Sequence, residues 1–169
     1  MGLNELIELE PVVHRDLRGF FLESYHQIRY QELGVNVSFC QDNHSYSKKG
    51  VLRGMHFQVG QAKLIYCPKG EIFDVAVDIR KGSPTFGSWK GFYLSEGNHK
   101  QLFIPDGFAH GFCVLSDEAH VMYKISTFFN KDLERGFSPV DPSVGIKWPV
   151  QLPILSERDA KAPLFVEVV

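Results

Sequence analysis

The 169-residue sequence is poor in cysteine: Cys40, Cys67 and Cys113 stand far apart, and no C-x-x-C occurs. An odd count without that spacing excludes a disulfide framework and offers no zinc signature. It fits small buried hydrophobes in a reducing compartment. No apolar run approaches the ~20 residues of a membrane-spanning helix. Basic charge is not in excess: 18 Lys and Arg against 20 Asp and Glu give a net charge of −2. That balance argues against a general nucleic-acid surface. It leaves room for a small phosphorylated ligand held by a few local cations, for which Arg15, Arg18, Arg53 and Lys63 are candidates. A strand–glycine-rich–helix unit is missing, which excludes a dinucleotide fold and a P-loop. Internal repeats, low-complexity tracts and linkers are absent too. The first eleven residues carry Glu5, Glu8 and Glu10 and lack the basic start and apolar middle of a secretion signal. The expectation is one domain over residues 1–169 in the cytoplasm.

What is present is a series of short apolar runs separated by turn residues. Runs at 63–67, 71–80, 91–95, 101–104, 111–115 and 120–127 are interrupted by Pro68-Lys69-Gly70 and Lys81-Gly82-Ser83-Pro84, among others. Turns recurring about every ten residues predict a β-sandwich or barrel. We therefore expect an all-β jelly roll, or double-stranded β-helix, whose interior can hold a small ligand. Residues 26–33 predict one short helix closed by Gly34. The tail from Trp148, with Pro149, Pro153 and Pro163, predicts an irregular wrap with one helical turn at 156–160.

The segment Val51-Leu52-Arg53-Gly54-Met55-His56-Phe57-Gln58 concentrates the chemistry. On a regular strand Arg53 and His56, of opposite parity, point to opposite faces. Gly54 between them allows a bulge that turns both to one side. His56 then reads as a base beside a cation, against the alternative of a core histidine satisfied by a carbonyl. A metal site of the jelly-roll type needs a second histidine at an alternate position, yet Gly54 and Gln58 stand there. His110 alone cannot complete a shell, so the pattern points away from a metal. His110, after Pro105-Asp106-Gly107, reads equally as structural or catalytic. Arg18 suits phosphate oxygens, and Phe20 or Phe21 could stack on a base. The alternative is an edge strand with a solvated arginine and core phenylalanines. Gln41-Asp42-Asn43 reads best as a turn cluster. Tyr123, on an alternating strand, is either a proton donor or a core aromatic. Asp159 reads as a first-turn acid of a helix capped by Ser156. Spacing alone does not connect it to His56.

Taken together, Arg18-Gly19-Phe20-Phe21-Leu22-Glu23-Ser24, Gln41-Asp42-Asn43-His44-Ser45, Val51-Leu52-Arg53-Gly54-Met55-His56-Phe57-Gln58 and Gly145-Ile146-Lys147-Trp148-Pro149 resemble the dTDP-4-dehydrorhamnose 3,5-epimerase family. The resemblance runs from residue 15 to 163 in the family's order. It implies a cupin-type jelly roll, usually a homodimer, with no metal or organic cofactor. Its substrate is a dTDP-linked 4-keto-6-deoxyhexose on the way to dTDP-L-rhamnose. His56 matches the family's general base, Asp159 the paired carboxylate, Tyr123 the tyrosine across the sugar and Lys63 the lysine near the enolate oxygen. Arg18, Phe21, Glu23, Gln41, Asn43 and Arg53 match nucleotide and diphosphate contacts, and His110 matches a second pocket histidine. The resemblance also implies that an exchanged N-terminal segment brings some of these from the neighbouring subunit. Two departures stand out. Only Val59-Gly60-Gln61-Ala62 separate the histidine strand from Lys63, and Phe128 stands where some members have tyrosine. A mono-epimerase at C3 or C5, a 3,4-ketoisomerase and a non-enzymatic sugar-nucleotide binding module remain as alternatives.

Overall fold

Alternation along the strands accounts for the architecture. The computed structural model describes residues 2–169. Its strands are β1 (Ile7–Leu9), β2 (Val13–Asp16), β3 (Gly19–Leu22), β4 (Gln41–Lys48), β5 (Leu52–Phe57), β6 (Lys63–Lys69), β7 (Glu71–Asp78), β8 (Trp89–Ser95), β9 (Gln101–Ile104), β10 (Phe108–Val114), β11 (Glu118–Ile125) and β12 (Arg135–Gly136). Three short helices are α1 (Gln27–Glu32), α2 (Glu157–Ala160) and α3 (Phe165–Val168). One five-stranded sheet runs β1-β9-β6-β11-β4, the other β12-β5-β10-β7-β8, and β2 and β3 pair only with each other. All pairings between these strands are antiparallel, including His110 opposite both His56 and Ala76. The two large sheets face each other as a jelly roll, as expected.

The central strands explain their own sequences. On β7, Ile72 and Ala76 point between the sheets, where they meet Ile65, Leu102 and Val121. Phe73, Val75 and Val77 point outward into a second apolar layer under the C-terminal tail. A strand covered on both faces is apolar throughout, so the polar Asp74, on the inward parity, stands out. On β10, Phe108, Phe112 and Val114 likewise point inward and Ala109 and Cys113 outward, which puts His110 on the inner face. The outer face of the other sheet is covered by Tyr30 of α1 with Val35 and Leu9, packed on Leu64 and Phe103. The Tyr30 hydroxyl lies 3.0 Å from both the Ser24 carbonyl oxygen and Gln101 Oε1, either of which can accept its one proton.

Several sequence-based expectations need correction. Gln41-Asp42-Asn43 is not a turn but the start of the eight-residue strand β4. Its polar residues read as a loop because β4 is an edge strand: its even-numbered residues are exposed, and Gln41, Asn43 and Ser45 line a polar cavity. The run from Glu71 stops at Asp78, where Asp78 instead accepts hydrogen bonds from Arg80, Ser83 and Thr85. The expected fold has one or a few short helices, and α3, which the sequence did not locate, is one of them. Phe20 and Phe21 lie on the small β2–β3 sheet and are exposed rather than in a core. Cys67 and Cys113 are buried as expected, but Cys40 is exposed; all three are free.

Candidate active site

The bulge at Gly54 builds the site. Between His110 and Phe112 on β10 there is one residue, whereas their partners His56 and Arg53 on β5 are separated by two, so β5 carries the extra residue. Gly54 adopts φ +138°, and the Gly54–Met55 peptide is cis. A Cβ at Gly54 would sit 2.6 Å from Gly111 Cα and 3.1 Å from the His110 carbonyl oxygen. Leu52, Met55 and Phe57 therefore all pack outward. Arg53 and His56 both open into one cavity of about 500 Å³.

The cavity lies between the sheets, and its walls come from both. From one sheet come His56, Arg53, His110 and Phe112; from the other come Lys63, Tyr123, Gln41, Asn43 and Ser45. The tail adds Ser156, Arg158 and Asp159, and the β11–β12 connection adds Phe129 and Glu134. Most of the predicted set thus converges: His56, Tyr123, Asp159, Lys63, Gln41, Asn43, Arg53 and His110. Arg18, Phe21 and Glu23 do not join it. Arg18 is paired with Asp16 on the exposed β2–β3 hairpin, Phe21 is 71% exposed, and Glu23 is paired with Arg29.

The histidine–carboxylate pair is well formed. His56 Nε2 donates to Asp159 Oδ1 at 2.6 Å. Ser156 caps α2 by accepting from the Asp159 N–H at 3.1 Å, so the expected first-turn acid is also the partner of His56. Burial pushes the Asp159 carboxyl up, but the His56 hydrogen bond and charge, Ser156 and the Gly54 N–H outweigh it and hold the pKa below the usual carboxylate range. An ionised Asp159 fixes the proton of neutral His56 on Nε2 and leaves Nδ1 as the basic nitrogen.

Lys63 is almost fully buried, and its Nζ donates to the His56 carbonyl oxygen at 3.2 Å. Burial pulls its pKa down to about 8, against the opposing pull of Glu134 and Asp74. On the same sheet as Lys63, and facing His56, Tyr123 is raised, first by burial and then by Glu134, so its phenol keeps its proton at neutral pH. His110 Nε2 donates to both Asp74 oxygens, at 3.0 and 2.8 Å. Arg53 is braced by Ser47 Oγ at 3.0 Å and the Tyr46 carbonyl oxygen at 3.2 Å. Gln41 donates to Asn43 Oδ1 at 2.8 Å. Among the described residues no group of three or more His, Cys, Asp or Glu side chains is arranged to hold a metal ion.

Sequence reasoning missed Asp74, Ser45, Glu134 and Arg158. Asp74 did carry a signal, as a lone carboxylate inside the apolar run Ile72-Phe73-Asp74-Val75-Ala76-Val77. Glu134 and Arg158 lie in loop and tail, where no periodicity singles out a residue.

A jelly roll with an oriented base on one wall and a protonated phenol on the other defines a class: an acid–base enzyme that moves protons on a small bound substrate. Comparison with known proteins narrows it. The family model described as dTDP-4-dehydrorhamnose 3,5-epimerase matches residues 1–167. The chain is 54% identical over 167 residues to the dTDP-4-dehydrorhamnose 3,5-epimerase of Shigella flexneri, covering 96% of this chain and 92% of that protein. It superposes with a TM-score of 0.94 and 48% identity on the crystal structure of dTDP-6-deoxy-D-glucose-3,5-epimerase from Legionella pneumophila in complex with dTDP-4-keto-L-rhamnose, covering 98% of this chain and 90% of that one. The dTDP-4-dehydrorhamnose 3-epimerase of Streptomyces niveus is 41% identical over 171 residues, 99% of this chain and 83% of that protein. The chain belongs to the dTDP-4-dehydrorhamnose 3,5-epimerase family.

Proposed function

We propose that this chain epimerises dTDP-4-dehydro-6-deoxy-D-glucose at C3 and C5 to dTDP-4-dehydro-L-rhamnose. The observation that carries the proposal is the placement of His56 and Tyr123 on facing sheets around one cavity. The C4 ketone acidifies the hydrogens on both adjacent carbons. His56 takes one of them as a proton. The C–H electron pair moves into the ring to form an enolate, and negative charge develops on O4. The ammonium of Lys63 stabilises that oxygen. Tyr123 returns its phenolic proton to the same carbon from the other face, which inverts it, and the proton taken by His56 passes to solvent or back to the tyrosinate. Asp159 holds the imidazole and stabilises the imidazolium. Arg53, Gln41 and Asn43 hold the nucleotide end by hydrogen bonds and charge.

The test is incubation with the 4-keto sugar nucleotide in deuterated water. Label at both C3 and C5 supports the reading, and label at one carbon reassigns the chain as a mono-epimerase. Binding without any exchange leaves only a binding module. His56→Ala is expected to lower exchange by about 10²–10⁴-fold. Tyr123→Phe is expected to retain exchange better than inversion.

The β2–β3 hairpin supports a second proposal, that the working unit is a homodimer. The hairpin pairs with no other strand of its own chain and exposes Leu17, Phe20 and Phe21. The edge strand β4, at the cavity wall, is paired on one side only. A hairpin seated on the neighbouring copy brings Arg18, Phe21 and Glu23 to the nucleotide end of that copy's cavity.

A further inference from the structure

One residue outside the cavity holds a backbone conformation that its side chain does not favour. His99, in the turn between β8 and β9, is the one non-glycine residue with a positive φ among the described residues, at +54°. The left-handed region suits glycine or asparagine better, so a histidine there is compensated by what its ring does. The turn is firmly braced: Asn98 Oδ1 accepts from the N–H groups of Ser95 and Lys100, both at 3.0 Å, and the His99 N–H donates to the Ser95 carbonyl oxygen at 2.9 Å. His99 is 3% exposed. Its ring meets the β2–β3 hairpin. Arg15 donates to its Nε2 at 3.1 Å, and the Phe20 ring lies 4.7 Å away, centroid to centroid. Arg15 and Phe20 are direct partners across the hairpin, so one imidazole engages both strands. Among the described residues, the Arg15–His99 contact is the only hydrogen bond between residues 13–22 and the rest of the chain. Two residues on, Gln101 Nε2 donates to the Ser24 carbonyl oxygen at 2.9 Å, just past the hairpin's end. Strand parity then decides which face looks outward. Val13, Arg15, Phe20 and Leu22 share one face, and His14 and Phe21 share the other. With Arg15 and Phe20 held on His99, the exposed Phe21, stacked on His14, faces away from its own jelly roll.

We propose that His99 is a positioning residue for the epimerisation: it seats the hairpin so that Arg18 and Phe21 are presented to the nucleotide end of the neighbouring copy's cavity. This rests on the homodimer reading above. The chemistry of the seat is one-sided. A guanidinium only donates, so the Nε2 that faces Arg15 holds its lone pair and the ring proton sits on Nδ1. That nitrogen is buried and has no hydrogen-bond partner. An imidazolium in this place would aim one N–H at a cation and leave the other unbonded, so only the neutral ring makes the seat. The other charged groups of the turn are engaged elsewhere: Glu96 accepts from the Gly70 N–H, and Lys100 is paired with Glu8 and Glu10.

The experiment compares the full chain with His99→Asn, which tolerates the left-handed turn but lacks the ring, and with Arg15→Met. The first readout is amide hydrogen exchange of residues 13–22 in the substrate-free protein, which requires neither turnover nor a dimer. Exchange there is expected to rise in both variants while the jelly-roll strands keep the parent's protection. The second readout is the tautomer of His99, followed by nitrogen–proton correlation on labelled histidine and assigned by loss of the signal in His99→Asn. The Nδ1–H form is expected in the parent. The third is kinetics. Each variant is expected to raise KM by about tenfold, the worth of one hydrogen bond to a charged group, with kcat near the parent's, and the double variant is expected to lose no more than either alone. When His99→Asn is mixed with His56→Ala, the cavity of the first chain receives the hairpin of the second, whose His99 is intact, so activity at low substrate is expected to recover. Unchanged hairpin exchange or an Nε2–H tautomer overturns the proposal in any assembly state. So does a fall in kcat at unchanged KM, which marks a disturbed cavity. Loosened hairpins without recovery on mixing overturn the reach to the neighbouring site, and a mass of one chain by light scattering overturns the homodimer reading itself.

Discussion

At the level of single residues, Lys63 separates activity from stability. Its folded pKa of about 8 lies below the ordinary lysine value of 10.5. Between those two pH values the unfolded chain binds the proton and the folded chain does not, so this group makes folding more favourable as pH rises. On the proposed mechanism catalysis runs the other way, because the Lys63 ammonium is lost as pH passes about 8. Turnover is expected to fall towards tenfold per pH unit above that point while the thermal midpoint does not drop in step. Parallel activity and melting measurements check it, and Lys63→Met is expected to be slow and to lack this limb. Gly54 makes a second case. Any side chain there meets Gly111 Cα and the His110 carbonyl, both backbone atoms that cannot rotate away, at a φ that disfavours L residues. Gly54→Ala is expected to destabilise the fold by about 1–3 kcal/mol and to lower kcat through a displaced His56. Denaturant titration with kinetics on the same samples checks it. A fully active, fully stable variant removes the bulge from the account. This bulge was readable in the sequence, because one glycine between an arginine and a histidine of opposite parity is a local signal. The His56–Asp159 pairing was not: 103 residues separate the partners, and only the resemblance connected them.

Whole elements were legible where one physical rule governed them. β7 and β10 are apolar because both faces are covered, and α1 announced itself by the Gly34 that closes it. β4 failed as a reading because an edge strand between solvent and a polar cavity carries no hydrophobic alternation to detect. α3 failed for a different reason: four residues make one turn, and what holds it is tertiary. Phe165 packs edge-on against Phe137 at 5.1 Å and its N–H donates to the buried Asp141 carboxylate at 2.6 Å. Ser138 N–H donates to the Pro163 carbonyl oxygen at 2.8 Å nearby. The tail that carries Asp159 is thereby pinned at its far end onto the outer face of the β5 sheet. Phe165→Ala removes a nearly buried aromatic from that layer and is expected to cost about 3–5 kcal/mol. Because α2 lies between this pin and β5, kcat is expected to fall as well at temperatures where the variant is still folded. A variant of equal stability loss on the opposite sheet, Leu64→Ala, serves as the control and is expected to leave kcat near the parent's.

For the molecule as a whole, the proposed mechanism draws all of its proton-moving groups from the cavity walled by one chain. His56, Asp159, Tyr123 and Lys63 all belong to one jelly roll, whereas Arg18 and Phe21 lie on the β2–β3 hairpin, and Glu23 just after it, outside that cavity. If the hairpin serves a second copy, a defect in the hairpin and a defect in the cavity reside in different active sites. This gives a prediction with a fixed outcome. Arg18→Ala weakens substrate binding in every site of its own homodimer, and His56→Ala abolishes chemistry in every site of its own. Mixing the two after mild dissociation yields heterodimers. In each, one site combines an intact hairpin from the His56→Ala chain with an intact cavity from the Arg18→Ala chain. Activity at low substrate concentration is expected to rise on mixing towards one quarter of the parent's, since half the molecules are heterodimers with one good site of two. Light scattering on the same samples is expected to give twice the mass of the chain. If the hairpin folded back onto its own cavity, every site in the mixture would keep one of the two defects, and mixing would restore nothing.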